Sequence, residues 1–117
     1  MGLGNIMLYS MNLQNNSFQS IKNGTKTIEM RLNDEKRKLI KVNDEIEFIN
    51  AETKETIRCQ VICIYRYANF YGLYSNHDKV SLGYNENETA HPKDMFTYYS
   101  EDKIKKYGVL GIKLKLI

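Results

Sequence analysis

The stretch that most restricts the fold runs over residues 57–67, where Ile57, Cys59, Val61, Cys63, Tyr65 and Tyr67 alternate with Arg58, Gln60 and Arg66. A period of two in a run rich in β-branched and aromatic side chains predicts a long, central strand with one face on a core. Such a strand needs sheet neighbours, and shorter alternating segments supply them. Met7, Tyr9, Met11 and Leu13 fall on one side, with Leu8, Ser10 and Asn12 on the other. Ile28, Met30 and Leu32 alternate with Thr27, Glu29 and Arg31, and residues 45–50 point Ile46 and Phe48 inward. At the end of the chain Leu110, Ile112, Leu114 and Leu116 alternate with Lys113 and Lys115, which predicts a strand with one wet face.

Short helices and turns fit between these strands. Ser17 reads as an N-cap, Phe18 and Ile21 share a face, and Gly24 is a left-handed stop. Val42-Asn43-Asp44 reads as a turn and residues 52–55 as a polar hairpin tip. From 68 to 95 the pattern weakens into loops with one short helix, interrupted by the sole proline, Pro92. Ser100 caps a helix that starts with Glu101 and Asp102, carries Lys103, Lys105 and Lys106 near its end and stops at Gly108, as the helix dipole favours. About five strands with short helices in 117 residues imply a twisted or closed sheet with helices over its openings, in a single domain spanning 1–117.

Several function classes are disfavoured. Apolar runs such as residues 61–64 are far below the roughly 18 residues of a membrane span, and no basic leader with an apolar stretch opens the chain. The expectation is a cytoplasmic protein without a membrane partner. Cys59 and Cys63, four apart on a strand, would be about 13 Å from one another, beyond disulfide reach, and both read as buried apolar residues. With only His77 and His91 besides, neither a metal nor another cofactor is expected. The balance of 17 Lys and Arg against 14 Asp and Glu, net +3, points to one local charged pocket rather than a broad basic face.

That pocket is sought in Gly24-Thr25-Lys26-Thr27-Ile28-Glu29-Met30-Arg31. Glu29 and Arg31, two apart on a strand, lie about 7 Å apart on one face and can converge on a ligand or pair with each other. Strict alternation puts Lys26 with Ile28 and Met30, so it joins them only if the regular strand begins after it. One reading makes the three a solvated face with a surface ion pair worth under about 1 kcal/mol. The other makes them a cleft, in which Lys26, as an exposed or cleft lysine, contributes little to folding. Lysine near a carboxylate can stabilise developing negative charge, while the carboxylate shuttles a proton or accepts from a base edge. Arg31 either binds phosphate or holds Glu29 in place. Tyr65 and Tyr67 read as core, whereas Tyr71 and Tyr74 are looser and are candidates for a rim on which bases stack.

The same segment resembles the GxKxxExR signature of the ASCH domain, a PUA-like family. Further agreement follows in order: residues 31–37, Val42-Asn43-Asp44-Glu45-Ile46-Glu47-Phe48 against VGDxIxF, the aromatic stretch around Phe70, and Tyr98-Tyr99-Ser100 leading to residues 106–112. The resemblance implies an α+β fold, a PUA-like β-barrel of five or six mostly antiparallel strands with short flanking helices. It also implies RNA or a nucleotide or nucleoside, modified or not, as partner; with the residue reading above, the expected ligand-binding residues are Lys26, Glu29, Arg31 and Tyr71. Some members are metal-free hydrolases, acting on acylated cytidine or cleaving RNA, and in that alternative Lys26 and Glu29 would be catalytic. Glu29 stands where the cytidine amidohydrolases have threonine, and Glu86 or Glu88 would correspond to a glutamate they use from a later helix. Asn43 replaces a usual glycine, which its tolerance of left-handed angles allows. A protein-binding adaptor with a merely structural triad is the remaining alternative.

Overall fold

In the computed structural model, which describes residues 5–117, the chain runs β1 (Leu8–Leu13), α1 (Asn15–Lys22), β2 (Ile28–Leu32), β3 (Glu45–Asn50), β4 (Thr56–Tyr67), α2 (Phe70–Asn76), α3 (Glu101–Tyr107) and β5 (Val109–Leu116). Short 3-10 segments occur at Arg37–Leu39 and Pro92–Thr97. The opening of the chain, on which the leader reading rests, lies partly outside the described residues. The five strands form one curled sheet in the order β1-β3-β4-β5-β2, a half-barrel. Only the β1–β3 pair is parallel, and the other three are antiparallel. This is the expected α+β architecture with mostly antiparallel strands. Because β1 and β2 are the two outer strands, α1 carries the chain from one edge of the sheet to the other.

Two apolar clusters lie on opposite faces of the sheet. The first gathers Met11, Leu13, Ile46, Phe48, Cys59, Val61, Leu110, Ile112 and Leu114 with Phe18 and Ile21 of α1. The second gathers Ile28, Met30, Leu32 and Val109 with Phe70 and Leu73 of α2, Leu82, Met95 and Ile104 of α3. Each fully buried Leu, Ile or Phe contributes about 1.5–3 kcal/mol relative to exposure, so both clusters hold the sheet.

The long strand serves both clusters, and this corrects the expectation of one common face. Val61 pairs with Leu114 but Cys63 with Lys113, so Ile62 is an extra residue in the ladder. Such a bulge resets the pleat. Before it Ile57, Cys59 and Val61 face the first cluster; after it Ile64 does, while Tyr65 and Tyr67 pack on the second. Cys63 consequently stands opposite Lys113 and is only half-buried, unlike Cys59, whose thiol burial pushes up to about 11.

Two further expectations change. Helix α1 begins at Asn15 after Gln14, with no side-chain cap, so Ser17 lies inside the helix. The last strand is buried on both faces from Val109 to Ile112, because β4 and β2 flank it and α2 covers it; its wet face begins at Lys113. Ser100 caps α3 as expected, accepting from the Lys103 amide at 3.2 Å. No described helix is long and apolar enough to cross a membrane.

The turn before β3 follows from its residues. Asn43 takes φ +79, and the buried Asp44 carboxylate accepts from the amides of Met7 (3.1 Å) and Lys41 (2.8 Å), tying β1 to the turn. Left-handed backbone costs an ordinary residue about 1–2 kcal/mol. Asn43→Val is therefore expected to lose at least about 1 kcal/mol in urea unfolding, whereas Asn43→Gly should stay within about 0.5 kcal/mol of the parent.

Candidate functional site

The site is built where α1 stops. Gly24, at φ +88, turns the chain back, and the Lys26 amide donates to Ser20 O at 3.0 Å, holding the connection against the helix. The amides of Thr27 and Ile28 both donate to Ser81 O at 3.0 Å. Regular pairing with β5 starts only at Ile28, so Lys26 is free of the strand's alternation and its side chain reaches the Glu29 face. Glu29 and Arg31 stand opposite Ile112 and Leu110, which places them on the first-cluster face.

Lys26 Nζ lies 2.8 Å from Glu29 Oε1, and Arg31 Nε lies 2.7 Å from Glu29 Oε2. Arg31 Nη2 continues to Asn12 O of β1 at 3.0 Å, so one guanidinium bridges the two outer strands. Lys26 and Glu29 are 7% and 4% exposed, which rules out the solvated-face reading. Lys26 is also more buried than expected of a cleft lysine, because its stem lies under the 80s loop. A Cβ added to Gly83, whose φ is +113, would come within 3.0 Å of Lys26 Cδ. The ammonium is thereby held between Glu29 and the Ser17 hydroxyl, 3.4 Å away.

Burial alone would push the Glu29 carboxyl up, but the charges of Lys26 and Arg31 and their hydrogen bonds outweigh it and hold its pKa below the ordinary value. Glu29 is thus an ionised carboxylate with both oxygens engaged, a poor proton acceptor as it stands.

A cleft of about 920 Å³ opens over these three residues. On one side stand Asn16, Ser17, Gln19 and Ser20 of α1; on the other Gly83, Tyr84, Glu88, Asp94 and Tyr98. The Tyr84 hydroxyl donates to Asp94 Oδ2 at 2.7 Å, and Glu88 Oε1 accepts from the Asn85 amide at 2.7 Å. The cationic floor therefore faces a wall carrying two carboxylates. Tyr98 is 58% exposed, and Tyr99 behind it stacks on Phe70 at 6.1 Å.

Lys26, Glu29 and Arg31 come together, but Tyr71 does not join them. It lines a second, smaller cavity. Glu88 borders the main cleft from a turn rather than a helix, and Glu86 is not among the lining residues. Ser17, Tyr84 and Asp94 were not identified from the sequence: Ser17 was read as a cap, and the other two lie in a stretch without periodicity. Tyr98 stands out in the sequence only through the family likeness. Among the described residues no group of three or more His, Cys, Asp or Glu side chains could hold a metal ion.

Comparison with known proteins bears on the family and the fold. The model of the ASCH domain matches residues 11–117. The crystal structure of hypothetical protein PH0355 is 30% identical, with TM-score 0.80 over 95% of this chain and 100% of that one. The solution structure of PF0455 from Pyrococcus furiosus is 29% identical, with TM-score 0.73 over 95% and 98%. ASCH from Zymomonas mobilis shares the fold at 15% identity and TM-score 0.67, over 92% of this chain and 66% of that one. No curated protein matches the chain.

Two outcomes follow for stability. Arg31→Ala leaves a buried carboxylate short of one partner and should cost about 3 kcal/mol or more in chemical denaturation; Lys26→Ala should also lower the melting temperature. Because the folded pKa of Glu29 is depressed, its contribution is present above the ordinary carboxylate range and is lost as pH falls through the lowered folded value. The melting temperature should fall with pH below about 5, and less steeply in Glu29→Gln. Asp34, raised by burial but lowered further by the Arg37 amide and guanidinium, accounts for part of what remains.

Proposed function

The chain belongs to the ASCH domain family, and on that premise we propose that its cleft binds RNA or a modified nucleotide or nucleoside. The charge balance of the floor carries this reading. Lys26 and Arg31 set two cations against the one carboxylate of Glu29, which leaves an excess of one positive charge where water is largely excluded and electrostatic attraction is stronger. A phosphate oxygen or a base carbonyl is the complement to that charge. The opposite wall supplies Asp94 and Glu88 as acceptors for exocyclic amino groups, and Tyr98 presents a ring on which a base can stack. A nucleotide carries all three features, and the cleft falls within the roughly 300–1,000 Å³ of small-ligand sites.

The second reading, a metal-free hydrolase, is favoured by one observation: the Ser17 hydroxyl lies 3.4 Å from Lys26 Nζ. With Glu29 ionised and fully engaged, Lys26 would act by stabilising an oxyanion. Nothing comparable favours the adaptor.

Fluorescence anisotropy with short single-stranded RNAs and nucleoside monophosphates tests the first reading, at a temperature where every variant is folded. Lys26→Ala should weaken binding by tenfold or more, the loss of a charge-assisted hydrogen bond of about 1.5–3 kcal/mol. The two floor cations alone should contribute no more than about −1.5 to the slope of log K against log salt. Equal binding by Lys26→Ala, or none by the parent, would contradict the reading. Product formation from acylated nucleosides or RNA, lost in Glu29→Gln while binding persists, would establish the hydrolase instead.

A further inference from the structure

The second cavity, about 310 Å³, lies behind the tyrosine wall of the main cleft and is lined by Tyr71, Tyr74, His77, Lys79, His91 and Pro92 among others. Only a thin partition separates the two. Tyr74 and Tyr84 face each other across it, edge to face, with ring centroids 6.0 Å apart and hydroxyls 2.7 Å apart, and Leu82 lines both spaces.

Its chemistry differs from that of the main cleft. No Asp or Glu is among its lining residues, whereas the main cleft has three. Lys79 Nζ donates to the carbonyl oxygens of Glu86 and Glu88, at 2.7 and 2.6 Å, so its ammonium is positioned by neutral acceptors that leave its charge uncancelled. The walls are rings: Tyr71 meets His91 edge to face at 6.2 Å, and His77 sits 4.4 Å from Tyr65 with its Nε2 2.9 Å from the Tyr67 hydroxyl. Desolvation lowers the His77 pKa, which favours a neutral ring. Tyr71 is 48% exposed at the mouth, where a flat ligand can reach it. Aromatic faces beside one uncancelled cation suit a base with a phosphate next to it.

We propose that this cavity is a second nucleotide subsite, in which Tyr71 and His91 receive a base adjoining the one in the main cleft and Lys79 meets the phosphate between them. The protein's ligand is then single-stranded RNA of at least two nucleotides rather than a free mononucleotide. This inference rests on the nucleotide reading of the main cleft.

The test compares RNA homotetramers of A, C, G and U with the corresponding nucleoside monophosphates, by calorimetry and competition against the full chain. In the parent, the best tetramer should bind at least about tenfold more tightly than its monophosphate, the worth of one stacked base. In Tyr71→Ala that ratio should collapse toward one. Ser75→Glu, which puts a carboxylate at an exposed position lining the same cavity, should reduce it too. A parent ratio near one, or a ratio kept by both variants, overturns the second subsite and leaves the main cleft standing. Failure of both monophosphates and tetramers to bind overturns the cleft reading together with it.

Discussion

A buried carboxylate has to be neutralised where it stands, and Glu29 imposes that condition on everything around it. At 4% exposure its two oxygens take one cation each, and supplying those cations determines local structure on three sides. Lys26 has to precede the regular strand, so β2 starts late and the connection is pinned to α1 through Ser20. Arg31 has to lie on the same face as Glu29, and its second nitrogen reaches across to Asn12. The guanidinium thereby ties together the two outer strands that the sheet leaves unpaired. An ion cluster of this kind is a weak source of stability, since desolvation offsets much of the attraction. The two apolar clusters supply the stability, and the triad gives the half-barrel a charged floor.

The bulge at Ile62 makes this arrangement compatible with a single sheet. An unbroken pleat would have turned Tyr65 and Tyr67 toward the first cluster and left the far half of β4 bare on the side that α2 covers. With the phase reset, the tyrosines support α2 and the loops beyond it, and those loops return over the sheet edge to cover Lys26. The segment from 78 to 91 has little regular structure, yet Leu82 anchors it in the second cluster and Ser81 O receives two amides from the start of β2. The wall of the cleft and the start of β2 are thus fixed to each other.

Much of this was legible in the residues, and the exceptions have physical causes. Asn43, Gly24 and Gly108 marked their turns because left-handed backbone selects for them, and Ser100 marked α3 because its hydroxyl has an amide to cap. Glu29 and Arg31 were placed on one face by the period of two alone. The bulge was invisible because Val61, Ile62, Cys63 and Ile64 are all apolar, so a change of phase leaves no trace in the pattern. Ser17 misled because four polar residues in a row, Gln14, Asn15, Asn16 and Ser17, allow several helix starts. The burial of Lys26 could not be read locally at all, since it depends on Gly83, more than fifty residues away. Tyr84 and Asp94 entered the cleft through a loop whose path is set by tertiary contacts rather than by periodicity.

The direct test of a charged cleft as the ligand site is chemical-shift mapping of the isotopically labelled protein during titration with a single-stranded RNA tetramer. The amides of Ser17, Ser20 and Gly83 and the Arg31 side-chain Nε–H should move together and saturate together, with smaller changes over α3. Shifts confined to the exposed lysines of α3 and β5, with Arg31 Nε–H and Gly83 unmoved, would contradict it.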